Sequence, residues 1–160
     1  MRYRPMYTKI IVIAFILVSV LSGCAWTVNV QISTTSLAPC PESPNCVSSL
    51  AHNPSHKIEP FPIYISGGES LRVLREILGS FERTEILWET GRALSAIVRT
   101  RLGFVDDVQF LVDETASVIH VRSAARVGYW DLGVNRNRVE QIRREYQSRM
   151  QRLENTDFIR

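Results

Sequence analysis

The chain has 160 residues, 45% hydrophobic and 22% charged, with a formal net charge of +3. That length holds one compact domain once a leader is set aside, and repeats and low-complexity stretches are absent. Three of the 19 basic residues, Arg2, Arg4 and Lys9, lie at the N-terminus; the 16 that remain balance 16 acidic residues, which excludes a nucleic-acid partner held by net charge.

The apolar run Ile10 to Leu21, "IIVIAFILVSVL", follows that basic segment. It is too short for a membrane-spanning helix, which needs about 20 residues. It fits the h-region of a secretory signal, about 7–15 residues behind a basic n-region. The run ends in "LSGC", Leu21-Ser22-Gly23-Cys24, which resembles the lipobox of bacterial lipoproteins. The resemblance implies that residues 1–23 are a signal peptide, that Cys24 is diacylated after cleavage, and that the new amino terminus is acylated. Two or more chains anchor stably, whereas one is marginal. An uncleaved N-terminal anchor helix is the alternative. Ala25, where an inner-membrane retention signal would carry aspartate, implies the outer membrane by resemblance to enterobacterial sorting. The expected location is therefore the cell envelope, with a lipid anchor at the periplasmic face of a membrane.

Residues 25–39, "AWTVNVQISTTSLAP", carry no charge and no glycine. With Cys24 they form a tether, which as a flexible coil spans roughly 20 Å. The globular domain is expected over residues 40–160. It opens on Cys40 and Cys46, in "CPESPNC", the only cysteines left once Cys24 is lipidated. In an oxidising compartment such a pair defaults to a disulfide, which on the chain-entropy model stabilises by about 2 kcal/mol. His52 and His56 offer a zinc alternative, C-x5-C-x5-H-x3-H. Zinc sites usually space their cysteines about two to four residues apart, and these histidines bracket Pro54, so no metal and no other cofactor is expected.

In "KIEPFPIYI", Pro60 and Pro62 allow an edge strand only. "SGGESLRVLREILGSF" predicts a helix opened by Ser66 or Gly67, with an apolar stripe of Leu71, Leu74, Ile77 and Leu78, stopped by Gly79. "TEILWET" reads as a strand. "ALSAIVRTRL" alternates, with Leu94, Ala96, Val98 and Leu102 on one face and Arg99 and Arg101 on the other. "FVDDVQFLV" places Val108, Phe110 and Val112 in phase. "VIHVRSAARV" turns Ile119 and Val121 inward and His120, Arg122 and Arg126 outward, with the strand running to Val127. A helix from about Arg136 carries Val139, Ile142, Tyr146, Met150 and Leu153 on one side, and Asn137 with Glu140 has the spacing of a capping box. The fold class is α+β: an antiparallel sheet of about five strands with two helices packed on one face.

Three stretches, "CPESPNCVSS" (40–49), "FVDDVQF" (104–110) and "RSAARVGYWDLGVNRNRVEQIR" (122–143), together resemble the family known as domain of unknown function 1499 (DUF1499), over nearly the whole domain. Ala124 and Ala125 stand where serine is more frequent, and Trp130 occupies a variable position. The resemblance implies exported or membrane-bound relatives and a shared fold. It implies no chemistry.

The third stretch is polar beyond what a strand–helix joint needs. Asp131, just ahead of the helix, can accept from free N–H groups and pair with an arginine. If Val112 pairs with Ile119 and Phe110 with Val121, Asp107 lies on the outer face diagonal to Arg122. Asp106 and Asp107, as neighbours on a strand, point to opposite faces and do not form a paired acid–base site. Two accounts follow. In one, the carboxylates and arginines lock the last strand onto the last helix. In the other, Arg99, Arg122, Arg126 and Arg136, with Asn135 and the helix start, bind a small anion or lipid head group. Nucleophile elbow, H-E-x-x-H and P-loop motifs are all missing. The leading expectation is thus an envelope interaction or structural lipoprotein that meets the membrane through its lipid anchor and has a protein partner in the envelope. A binder of a small anionic ligand comes next and an enzyme third.

Overall fold

The period-two stretches in the middle of the chain fold as one antiparallel meander. The computed structural model describes residues 35–157, so the leader, Cys24 and the tether up to residue 34 lie outside the described residues. The elements are β1 (Cys46–Ser48), β2 (Phe61–Pro62), α1 (Gly67–Ser80), β3 (Thr84–Glu89), β4 (Ala93–Arg99), β5 (Val105–Asp113), β6 (Val118–Ala125) and α2 (Val134–Asp157). The sheet runs β1-β6-β5-β4-β3, with β2 also on β6, and all pairs are antiparallel. No described helix is long and apolar enough to cross a membrane.

The α+β expectation holds, with six strands rather than five. The added strand is β1, three residues pairing Cys46 with Ala124 and Ser48 with Arg122, where the sequence suggested only a proline-stiffened loop. The Cys40–Cys46 disulfide sits at its start. With those sulfurs joined to each other, the zinc alternative loses its cysteine ligands. β2 is short, at the edge and bounded by proline, as the missing N–H groups require.

Both helices cover one face. From the strands, Leu94, Ala96, Val98, Val108, Phe110, Val112, Ile119 and Val121 meet Leu71, Leu74, Ile77 and Leu78 of α1 and Val139, Ile142, Tyr146 and Met150 of α2 in one core. Ser66 caps α1 by accepting from the Glu69 N–H, and Gly67 permits its first turn to approach the sheet, since a Cβ there would stand 2.6 Å from Val112 Cγ1. Phe61 packs edge-on against Phe110 and Tyr146, with ring centroids 5.5 Å apart in both cases. The Arg143 guanidinium lies 4.3 Å from its ring centre. The Tyr146 hydroxyl donates to the Pro62 carbonyl at 2.8 Å and lies 2.9 Å from Ser70 Oγ. Burial pushes its pKa up to about 12.

Three local expectations are corrected. Leu102 is not on the core face but 85% exposed, because β4 ends at Arg99 and a tight turn follows in which Thr100 N–H donates to the Phe104 carbonyl. The last helix begins at Val134 and β6 stops at Ala125, so the joint, residues 126–133, keeps its expected length but lies two residues earlier in the chain. Asn137 is therefore inside the helix, its N–H donating to the Gly133 carbonyl, and the Asn137–Glu140 capping box is not formed. Asp131 caps instead.

Candidate functional site

Strand pairing brings the three polar stretches to one end of the sheet. Phe110 pairs with Val121 and Val112 with Ile119, which sets Asp107 opposite Ala124 and Asp106 opposite Ala125. Cys46 lies on the other side of Ala124. The loop between β6 and α2 is bent by positive φ at Gly128, Leu132 and Gly133, a conformation that costs a leucine more than a glycine.

Asp131 holds this loop. Its Oδ1 accepts from the Gly133 N–H at 2.9 Å, and its Oδ2 accepts from the Asn135 N–H at 2.9 Å and from Asn135 Nδ2 at 2.8 Å. Burial alone would raise its carboxyl. The three hydrogen bonds outweigh burial and hold it below the usual carboxylate range.

Asn135, fully buried, is the centre of the junction. Its Nδ2 also donates to the Asn45 carbonyl at 3.1 Å, and its Oδ1 accepts from Ser123 Oγ at 2.6 Å and Arg138 at 2.8 Å. Arg138 continues to Asp106 Oδ2 at 2.5 Å, with both side chains buried. Asn45 in turn donates from Nδ2 to the Gly128 carbonyl. On the opposite face, Arg126 grips Asp107 through Nε and a terminal nitrogen, the shortest contact being 2.8 Å. That hydrogen bond raises the Arg126 guanidinium above its ordinary value.

The remaining singled-out residues do not join this junction. Arg136 holds the loop after β1, donating to the Ser55 and Lys57 carbonyls at 2.9 Å. Arg99 is exposed and lines an open cleft at the end of β4 with Arg83, Arg101 and Arg144. Arg122 is buried on the outer face, opposite Gln109. Burial draws its guanidinium below its ordinary value, and the Asp107 charge opposes this. Of the four guanidiniums considered as an anion pocket, Arg122 and Arg126 share the surroundings of Asp107, and Arg99 and Arg136 stand apart from them. Cys24 lies outside the described residues.

Two features were not visible in the sequence. By helical spacing Arg138 falls off the apolar side of the last helix, yet it is the partner of Asp106. The signal for it was present: Asp106 shares the inward parity of Val108 and Phe110, and a carboxylate on a core face requires a cation or donors. The second is a row across the outer face, Trp88–Ser95–Gln109–Arg122, in which Trp88 Nε1, Gln109 Oε1 and Arg122 Nε are buried without a hydrogen-bond partner. Ser49, His120 and Asp113 also stand in sequence, Oγ to Nδ1 at 3.1 Å and Nε2 to carboxylate at 3.7 Å. Ser49 is buried and its Oγ already accepts the Val121 N–H at 3.0 Å, so it is not poised as a nucleophile.

The family model described as protein of unknown function (DUF1499) matches residues 36–146. No curated protein matches the chain. The matched region takes in Asn45, Asp106, Asp107, Ser123, Arg126, Asp131, Asn135 and Arg138, the residues whose side chains build the junction.

Proposed function

The chain belongs to the DUF1499 family, and from that premise we propose that it is an exported lipoprotein of the cell envelope, anchored through Cys24 at the periplasmic face of a membrane. Its domain then acts as a rigid interaction or structural module rather than an enzyme. The observation that carries this reading is the closed junction. Asp106, Asp107, Asp131, Arg126 and Arg138 are each answered by another junction residue, so these side chains hold β1, β5, β6 and α2 together. The basic segment, apolar run and "LSGC" support the anchor, and Ala25 supports the outer membrane. Intact-mass measurement of membrane-extracted protein is expected to show acyl mass on a chain beginning at Cys24. Cys24→Ser is expected to abolish it and leave the precursor uncut. Acyl-free wild-type protein in the membrane fraction would sink the proposal.

The outer-face row favours a second reading, a small anionic ligand that accepts from Arg122 and Trp88 and donates to Gln109. Buried donors and acceptors of this kind normally find partners. Native mass spectrometry of protein purified from its own envelope is expected, on this reading, to show a small bound anion that Arg122→Met removes. An unliganded wild-type mass eliminates it.

A further inference from the structure

Beyond the last paired residues of β4, β5 and β6, two neighbouring loops carry apolar side chains into solvent. Leu102 and Phe104 belong to the turn after β4; Val127, Tyr129, Trp130 and Leu132 belong to the loop after β6, and all six are exposed. The loops are adjacent because Asp106 pairs with Ala125 and the Arg126 N–H donates to the Val105 carbonyl at 3.0 Å. Single exposed hydrophobes are ordinary, but a contiguous group marks an interaction surface. Beside them the open cleft on the helix side gathers Arg83, Arg99, Arg101 and Arg144, and among the described residues Arg99, Arg101 and Arg144 have no carboxylate partner. The Glu140 carboxylate in the same cleft is taken by Arg143 at 3.1 Å, and Glu82 faces Arg83 at 3.5 Å.

We propose that this end of the domain docks onto an anionic phospholipid bilayer, with the two apolar tips in the interfacial region and Arg99, Arg101 and Arg144 on lipid phosphates. Tryptophan and tyrosine favour that depth, where the ring meets hydrocarbon and the polar edge meets water. Guanidiniums at the surface add attraction to anionic lipid. A protein interface excludes charge from its apolar centre, whereas a bilayer offers apolar depth and phosphate within the same few ångströms. Both loops are already ordered: Thr100 closes the first through its Oγ1 to the Phe104 N–H at 3.1 Å, and Asn45 and Asp131 hold the second. Little conformational entropy is therefore lost on insertion.

The proposal goes beyond lipid anchoring and does not require it, yet the two are compatible on one membrane. The chain enters the described domain at Thr35, beside Leu111, Asp113 and His120, at the opposite end of β5 from the tips. That strand is 9 residues long, or about 30 Å, and the stretch from Cys24 to Thr35 reaches at most roughly 36–40 Å when fully extended. A domain lying along the bilayer satisfies both attachments.

The test uses the full chain reconstituted in vesicles of phosphatidylglycerol and phosphatidylethanolamine, with Trp26→Phe and Trp88→Phe so that Trp130 is the only emitter. If Trp88→Phe disturbs folding, the difference between the unaltered chain and Trp130→Phe gives the same signal. Trp130 is expected to be quenched by lipids brominated along the acyl chain and shielded from aqueous acrylamide. In Arg99→Gln/Arg101→Gln both effects are expected to require on the order of tenfold more anionic lipid. Inorganic phosphate at millimolar concentration is expected to leave the quenching in place. Trp130 as open to acrylamide in vesicles as in detergent overturns the proposal. So does shielding that free phosphate alone produces, or that appears only when envelope proteins are added, the last pointing to a protein partner. Acyl mass at Cys24 is read separately, so failure of the anchor and failure of the docking face are distinguishable.

Discussion

Arg138→Met is expected to lower the free energy of unfolding by about 3–5 kcal/mol, because breaking a buried ion pair leaves the other charge uncompensated. The Asp106 and Arg138 side chains are 3% and 8% exposed, so water cannot take over for either. Removing Arg138 also deprives Ser123 Oγ and Asn135 Oδ1 of a donor. Asp106→Leu alone is expected to be nearly as damaging, since it strands the guanidinium. The double variant Asp106→Leu/Arg138→Met should recover much of the loss, as buried pairs are often replaceable by apolar side chains of similar volume. Denaturant unfolding of the four proteins completes the cycle. Strictly additive losses would mean that the two groups are not coupled, and the closed junction would fail with them.

Asp131→Ala is expected to cost about 2–3 kcal/mol, more than an ordinary helix cap at about 1, because a buried amide and two backbone donors lose their acceptor together. The pH dependence has a definite sign. The folded carboxyl is held below its ordinary value of 3.8, so its contribution is complete above that pH and is lost as pH falls through the lower folded value. Wild-type stability should therefore drop in acid more steeply than that of Asp131→Asn, with the two curves converging at the lowest pH. Parallel curves would remove the ionised cap from the account. Trp130→Ala is the contrasting case. With its ring 68% exposed, it should leave stability within about 0.5 kcal/mol of wild type while abolishing the interfacial signal.

The register of the central strands was legible because alternation is strict there. Phe110, Val112, Ile119 and Val121 admit one pairing that keeps all four on the same face, since a slip of one residue exposes them. The class of fold and the short edge strand at Pro62 were legible for equally local reasons. β1 was not, because three residues between prolines and a turn carry no periodicity; its strand state depends on β6 lying beside it. Within the site, Asp131 could be placed from its position ahead of a helix and Asp107 on the outer face from parity, but its ion-pair partner is Arg126 and not the diagonal Arg122. Arg138 could not be picked out from five other arginines on its helix, since helical spacing says which residues share a side but not which side meets a buried carboxylate. The expected arginine cluster dispersed for a related reason. Arg99, Arg122 and Arg126 share the outer strand parity, and Arg99 and Arg126 flank Val105, but Arg126 is taken by Asp107, Arg99 lines the open cleft, and Arg136 belongs to the helix on the other face.

The position of β6 governs the order in which the domain can assemble. It is the last strand in the chain, yet both N-terminal strands pair with it, β1 at Arg122 to Ala124 and β2 at Val118 to Ile119. Closing those contacts spans most of the domain and carries a loop-closure cost before any contact repays it. The hairpins β3–β4, β4–β5 and β5–β6 close over short turns and can form as soon as each strand is made. A chain emerging N-terminus first must therefore keep Cys46–Ser48 without their strand partner until Ala124 is out. In that interval the Cys40–Cys46 disulfide, across a separation of six residues, is a covalent link the leading segment can form by itself. Oxidation there requires no prior folding, and it presents β1 already restrained to a strand that arrives last.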